Sequence, residues 1–98
     1  MSLQIVRFTT RPEQAAEVER GVADLFGAVA AARPDGLRYL AGRVADQPES
    51  LLLLHLDDGV ANPLPAIPEA AAFRQQLQAW AAPGPQPVNV LGDYRMTG

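Results

Sequence analysis

The chain has no cysteine and no lysine, a single histidine and a single tryptophan. Each shortage removes a class of function. Without cysteine there is no disulfide framework and no thiolate for catalysis or metal binding, which fits a reducing compartment. No segment approaches the ~20 apolar residues that a membrane-spanning helix needs, so no membrane role is expected. The N-terminus enters an alternating segment without the basic and then apolar stretch of a secretory signal, so a cytoplasmic protein is expected. All eight basic residues are arginine, scattered at positions 7, 11, 20, 33, 38, 43, 74 and 95, in a chain of net charge −3. Binding to phosphate backbones needs a concentrated positive face, so nucleic acid is not an expected partner. Glycine-rich phosphate loops, Gly-x-Ser-x-Gly elbows and paired-carboxylate spacings are also missing.

What is present suits one small globular domain over residues 1–98. Hydrophobic residues make up 48% of the chain and charged residues 19%, far from disordered composition. A chain this short buries roughly two thirds of its unfolded surface, enough for one modest core.

Leu3 to Thr9 alternates, with Leu3, Ile5 and Arg7 on one side and Gln4, Val6 and Phe8 on the other, which reads as a strand. Thr10 and Glu13 have the spacing of a capping box, with Pro12 in the first turn. Ala15, Val18, Val22, Leu25, Phe26 and Val29 then recur at helical spacing until Pro34 ends the helix. Leu37–Val44 and Leu51–Leu56 read as two strands of a hairpin around Asp46-Gln47-Pro48-Glu49. Three prolines between Asn62 and Pro68 make an extended loop. A second helix carries Ala70, Phe73, Leu77, Trp80 and Ala81 on its apolar face, with Arg74, Gln75, Gln76 and Gln78 away from it. Val88 to Met96 reads as a fourth strand.

The order β-α-β-β-α-β specifies a ferredoxin-like α+β fold: a four-stranded sheet of antiparallel type with both helices on one face. The first and third strands are expected at its centre, parallel to each other. Leu51, Leu52, Leu53, Leu54 and Leu56 make the third strand apolar on both sides, the pattern of a strand covered on both faces. Two helices cover only one. Three or four uncovered aliphatic side chains at ~1.5–3 kcal/mol each are a strong drive to associate, so a homodimer is expected, its two sheets facing each other across a shared interior.

Four residues stand out as site candidates. His55 is the only side chain whose unperturbed titration lies near neutrality; it is read either as a proton shuttle or as a buried histidine satisfied by backbone. Arg7 is expected beside it across the central strands. Its guanidinium would either anchor an anionic oxygen in the interior or pair with an acid at the rim. Tyr39 would donate to a ligand or pack against the next strand, depending on hairpin register. Asn62 would donate at the cavity mouth or cap the turn before Pro63. Trp80 is read as core. His55, Asp57 and Asp58 lack the further histidine or cysteine that a tetrahedral metal site needs, and Asp57-Asp58-Gly59 is read as a turn. No metal is expected.

Three stretches carry a family resemblance: Val6-Arg7-Phe8 followed by Arg11-Pro12-Glu13, Arg33-Pro34-Asp35-Gly36-Leu37-Arg38-Tyr39, and Asn62-Pro63-Leu64-Pro65 leading into Ala72-Phe73. With this element order they make the chain resemble the antibiotic-biosynthesis-monooxygenase-like group of the dimeric α+β barrel superfamily. The resemblance implies a small-molecule-binding dimeric barrel, with cofactor-independent oxidation of an aromatic or enolisable substrate as its leading activity. In that reading Arg7 stabilises developing negative charge, His55 moves a proton, and Tyr39 and Asn62 orient the substrate. Haem-degrading relatives use a helix-borne histidine, where this chain has Ala70, Ala71 and Ala72, so haem is not expected. A tryptophan often found after the third strand is replaced by Asp57-Asp58. A non-catalytic dimeric ligand-binding or interaction module is the alternative, and a proline-rich loop that docks a partner protein is the third reading.

Overall fold

A computed structural model describes residues 2–45 and 47–94. Strand β1 (Ser2–Thr9) leads to helix α1 (Ala15–Ala32), strands β2 (Leu37–Arg43) and β3 (Glu49–Leu56), helix α2 (Pro68–Ala79) and a short strand β4 (Gln86–Pro87). The sheet order is β2-β3-β1-β4, with β1 and β3 central. This is the ferredoxin-like α+β arrangement.

One expectation is corrected here. β1 and β3 are antiparallel, not parallel. Because β3 is antiparallel to both β1 and β2, β1 and β2 run the same way. The α1 crossover sets that direction and the β2–β3 hairpin then reverses the chain. Register follows: Val6 faces Leu52, Arg7 faces Leu51 and Leu3 faces His55, while Tyr39 faces Leu54 and Leu40 faces Leu53.

Because side chains alternate along each strand, this register sorts the sheet into two faces. On one, Val6, Phe8 and Leu52 are buried with Val18 and Leu25 of α1, Phe73 of α2 and Trp80 just beyond it. Both helices therefore lie on this side. Trp80 stacks on Phe8 with ring centroids 5.7 Å apart and meets Phe73 edge-on. Its indole N–H donates to Glu17 Oε1 at 3.2 Å, which ties the end of α2 to the start of α1. Core packing is thus its role, as the helical stripe indicates.

The other face carries Leu3, Ile5 and Arg7 of β1, Arg38, Leu40 and Gly42 of β2, and Leu51, Leu53 and His55 of β3. No helix covers it. Leu51 and Leu53 are half-buried, and Leu40 is 56% exposed.

Three local readings change. The N–H of Arg11 is capped by Gln14 Oε1 at 3.0 Å, and a 3-10 turn over Pro12–Gln14 precedes α1. Thr10 instead donates its backbone N–H to Pro48 O, so the Thr10–Glu13 capping box does not form. β4 is shorter and earlier than Val88–Met96. It pairs only at Gln4 and Ile5, with one further bond from Val88 N–H to Leu3 O at 2.8 Å. Pro85 and Pro87 have no N–H to give to a ladder, and residues 88–94 leave the sheet; Arg95 and Met96 lie outside the described residues. Ala81, expected on the apolar face of α2, is exposed and left-handed at φ 57° just past the helix end.

Gly36 does require glycine. Its φ is 74°, and an added Cβ would lie 2.7 Å from Val60 Cγ2. Its carbonyl accepts from Asp57 N–H at 2.9 Å, which holds the start of β2 against the end of β3.

Candidate ligand cleft

A cleft of about 760 Å³ opens between the helix-covered face of the sheet and α2. Its floor is Val6, Leu52, Leu54 and Tyr39 from the strands. Its walls come from Leu25 of α1, Ala70, Phe73 and Leu77 of α2, and the loops at Leu64-Pro65 and Pro83-Gly84-Pro85. The small side chains Ala70, Ala71 and Ala82 leave the space unfilled. The volume falls in the ~300–1,000 Å³ range of small-molecule sites, and the mixture of apolar walls with a few polar groups is also typical of them.

The polar groups are Gln4, Tyr39, Asn62, Arg74, Gln75 and Gln78. Tyr39 stacks on Phe26, ring centroids 5.0 Å apart. Burial pushes its phenol from 10.0 to about 12, since the charged form loses more hydration than the neutral one. At physiological pH it is a neutral O–H group. Asn62 Oδ1 accepts from Leu64 N–H at 3.0 Å and stabilises the turn that carries the loop. Its remaining polar group is therefore the amide NH2, a donor. Among the described lining residues there is no aspartate, glutamate or histidine.

The four candidate residues do not converge. Tyr39 and Asn62 line the cleft. Arg7 and His55 share the opposite face, as their alternation implies, but they are not neighbours. In antiparallel register Arg7 lies against Leu51, whereas His55 lies against Leu3 and Arg38. The expected proximity assumed parallel strands and fails with them. Arg7 is paired at the rim: its Nε and Nη2 donate to Glu49 Oε1 at 3.0 and 2.7 Å. His55 is only 6% exposed, and neither ring nitrogen has a hydrogen-bond partner among the described residues. Asp57 Oδ1 stands 3.8 Å from its Nδ1, beyond hydrogen-bond reach.

The sequence reading missed Gln4, Arg74, Gln75 and Gln78 as cleft residues, and it placed the last three away from the packed side of α2. Helical spacing held a usable signal: Ala70, Arg74 and Gln78 follow one another at four-residue steps, so the arginine of α2 shares a side with Ala70, which leaves space beside it.

No protein-family model matches the chain, and no curated protein is detectably similar to it. A solved structure does match. The crystal structure of a putative antibiotic biosynthesis monooxygenase from Deinococcus radiodurans superposes with a TM-score of 0.66 at 18% identity, covering 100% of both chains. This chain has that protein's fold. The resemblance to the antibiotic-biosynthesis-monooxygenase-like group thus holds at the level of architecture, end to end. Among the described residues no helix is long and apolar enough to cross a membrane.

Proposed function

We propose that the chain binds a largely apolar, planar small molecule in the cleft between the sheet and α2, as one half of a homodimer. The cleft itself carries this reading: about 760 Å³ of mostly apolar space with Tyr39 and Asn62 on its lining. Cofactor-independent oxidation is the activity that the shared fold favours. In such a reaction the ionised substrate supplies the electrons that reduce O2. A methylene between aromatic rings becomes a carbonyl, one oxygen atom enters the product, and the other leaves as water.

In this scheme Tyr39 and the Asn62 amide donate to the substrate oxygen on which charge develops. The apolar walls exclude water from the ionised carbon. The described lining holds no group that titrates near neutrality, so the substrate must be acidic enough to ionise unaided, as a polycyclic enol or phenol is. That same feature favours the second reading, a binder with no turnover, whenever the ligand is not acidic.

The dimer is proposed through the uncovered face of the sheet. Leu3, Ile5, Leu40, Leu51 and Leu53 lie together there. Leu91 is fully exposed and Tyr94 is 80% exposed on the segment after β4.

Oxygen uptake with a panel of polycyclic phenols and anthrones, in metal-chelated, flavin-free buffer, separates the two activity readings. The oxidation reading predicts uptake above the spontaneous rate that falls at least tenfold in Tyr39→Phe, Asn62→Ala double variants. Binding of the panel without any uptake above background would leave the non-catalytic reading. Absence of binding would defeat both.

A further inference from the structure

The cleft has a single formal charge in its described lining, that of Arg74. We propose that it selects ligands carrying a carboxylate, gripped by the Arg74 guanidinium while the apolar body lies against Leu52, Leu54 and Phe73. This deepens the ligand-site reading above and rests on it.

Arg74 sits in the middle of α2, exposed, with Ala70 one turn before it and Gln78 one turn after it on the cleft side. Arginines 7, 11 and 43 are each paired with a glutamate, Glu49, Glu13 and Glu19 respectively. Arg74 forms no ion pair or hydrogen bond among the described residues. In a chain of net charge −3, the rim of an apolar cleft is thus held by a cation that, like Arg20 and Arg33 elsewhere on the surface, finds no partner among the described residues. The guanidinium fork matches a carboxylate with two parallel N–H···O bonds. Gln75 and Gln78, one residue and one turn further along the helix, add neutral carboxamides to the same lining. A second charge of either sign is not built into it, so the selection is for one anionic group rather than for a zwitterion or a cation.

The test uses two fluorescent probes of equal shape, anthracene-9-carboxylate and the neutral 9-anthracenemethanol, titrated into the full chain at pH 7.5. The unaltered protein is expected to bind the carboxylate about tenfold more tightly, the scale of one charge-assisted hydrogen-bonded contact. That preference should shrink as salt rises, because an exposed ion pair is screened. Arg74→Gln is expected to abolish the preference, read as the ratio of the two probes' affinities, and Arg74→Lys to keep part of it. Arg20→Gln, on the exposed side of α1, is the control and should leave it intact. If the neutral probe binds but the carboxylate has no advantage, or keeps its advantage in Arg74→Gln, the role of Arg74 is refuted and the cleft reading stands. If neither probe binds, both fall.

Discussion

Tyr39 makes the chain's alkaline stability unusually easy to interpret. Lysine and cysteine are absent, and arginine stays protonated throughout. Alkaline effects on stability above pH 9 therefore centre on the buried phenol of Tyr39. Burial raises Tyr39 from 10.0 to about 12, so the folded chain keeps a proton that the unfolded chain gives up near pH 10. The contribution is fully present below pH 10 and is lost as pH rises through 12. Within that window stability should fall by up to about 1.4 kcal/mol per pH unit, the slope for one proton released on unfolding. Partial exposure of the ring makes this an upper bound. Urea melts at fixed protein concentration between pH 9 and 12 test it, alongside tyrosinate absorbance at 295 nm, part of which should appear only as pH nears 12. Tyr39→Phe should remove that late part and flatten the stability slope. No late absorbance, or an unchanged slope in Tyr39→Phe, would refute the burial of this phenol and weaken the case for its place in an apolar cleft.

Other consequences follow from packing. Leu25, 1% exposed on the core side of α1, should cost about 2–5 kcal/mol on truncation to alanine, read as a lower urea midpoint. Gly27 lies inside α1, and a Cβ added there would meet nothing within 4 Å, so Gly27→Ala should stabilise by about 1 kcal/mol. Gly36→Ala should do the reverse, by about 1–3 kcal/mol, since it adds backbone strain to a clash with Val60; a neutral result at Gly36 would contradict the turn geometry. Leu40→Glu, on the edge strand β2 of the uncovered face, should convert a species of about twice 10.5 kDa into a monomer in sedimentation equilibrium. A wild-type chain that is already monomeric at micromolar concentration would remove the dimer.

The parts of this fold legible in the sequence are those whose signal is local. The alternation in Leu3–Thr9, the 3.6-residue stripe from Ala15 to Val29 and the turn at Gly36 each identify their element from neighbouring residues. Strand direction and register are not local. Counting about five residues into each strand sets Arg7 beside His55. The hairpin reverses β3, and counting from the same end then pairs the wrong residues. β3 also conceals which face the helices cover, because it has leucine on both, so alternation does not choose the face of Tyr39. The fourth strand falls at Gln86–Pro87 and not in the β-forming stretch Val88–Met96, because pairing with Gln4 and Ile5 is a tertiary choice that local propensity does not carry; Pro85 and Pro87, without N–H donors, keep it short. The cleft is hidden for a different reason: an empty space is defined by residues that are too small to fill it, and Ala70, Ala71 and Ala82 look like ordinary helix formers and loop residues.

Chemical-shift mapping of the chain with anthracene-9-carboxylate locates the ligand residue by residue. The largest amide shifts are expected on Tyr39, Leu54, Asn62, Arg74 and Leu77, with Leu40, Leu53 and His55 unmoved. Shifts concentrated on those last three, with the cleft silent, would put the ligand on the opposite side of the sheet and contradict the cleft site.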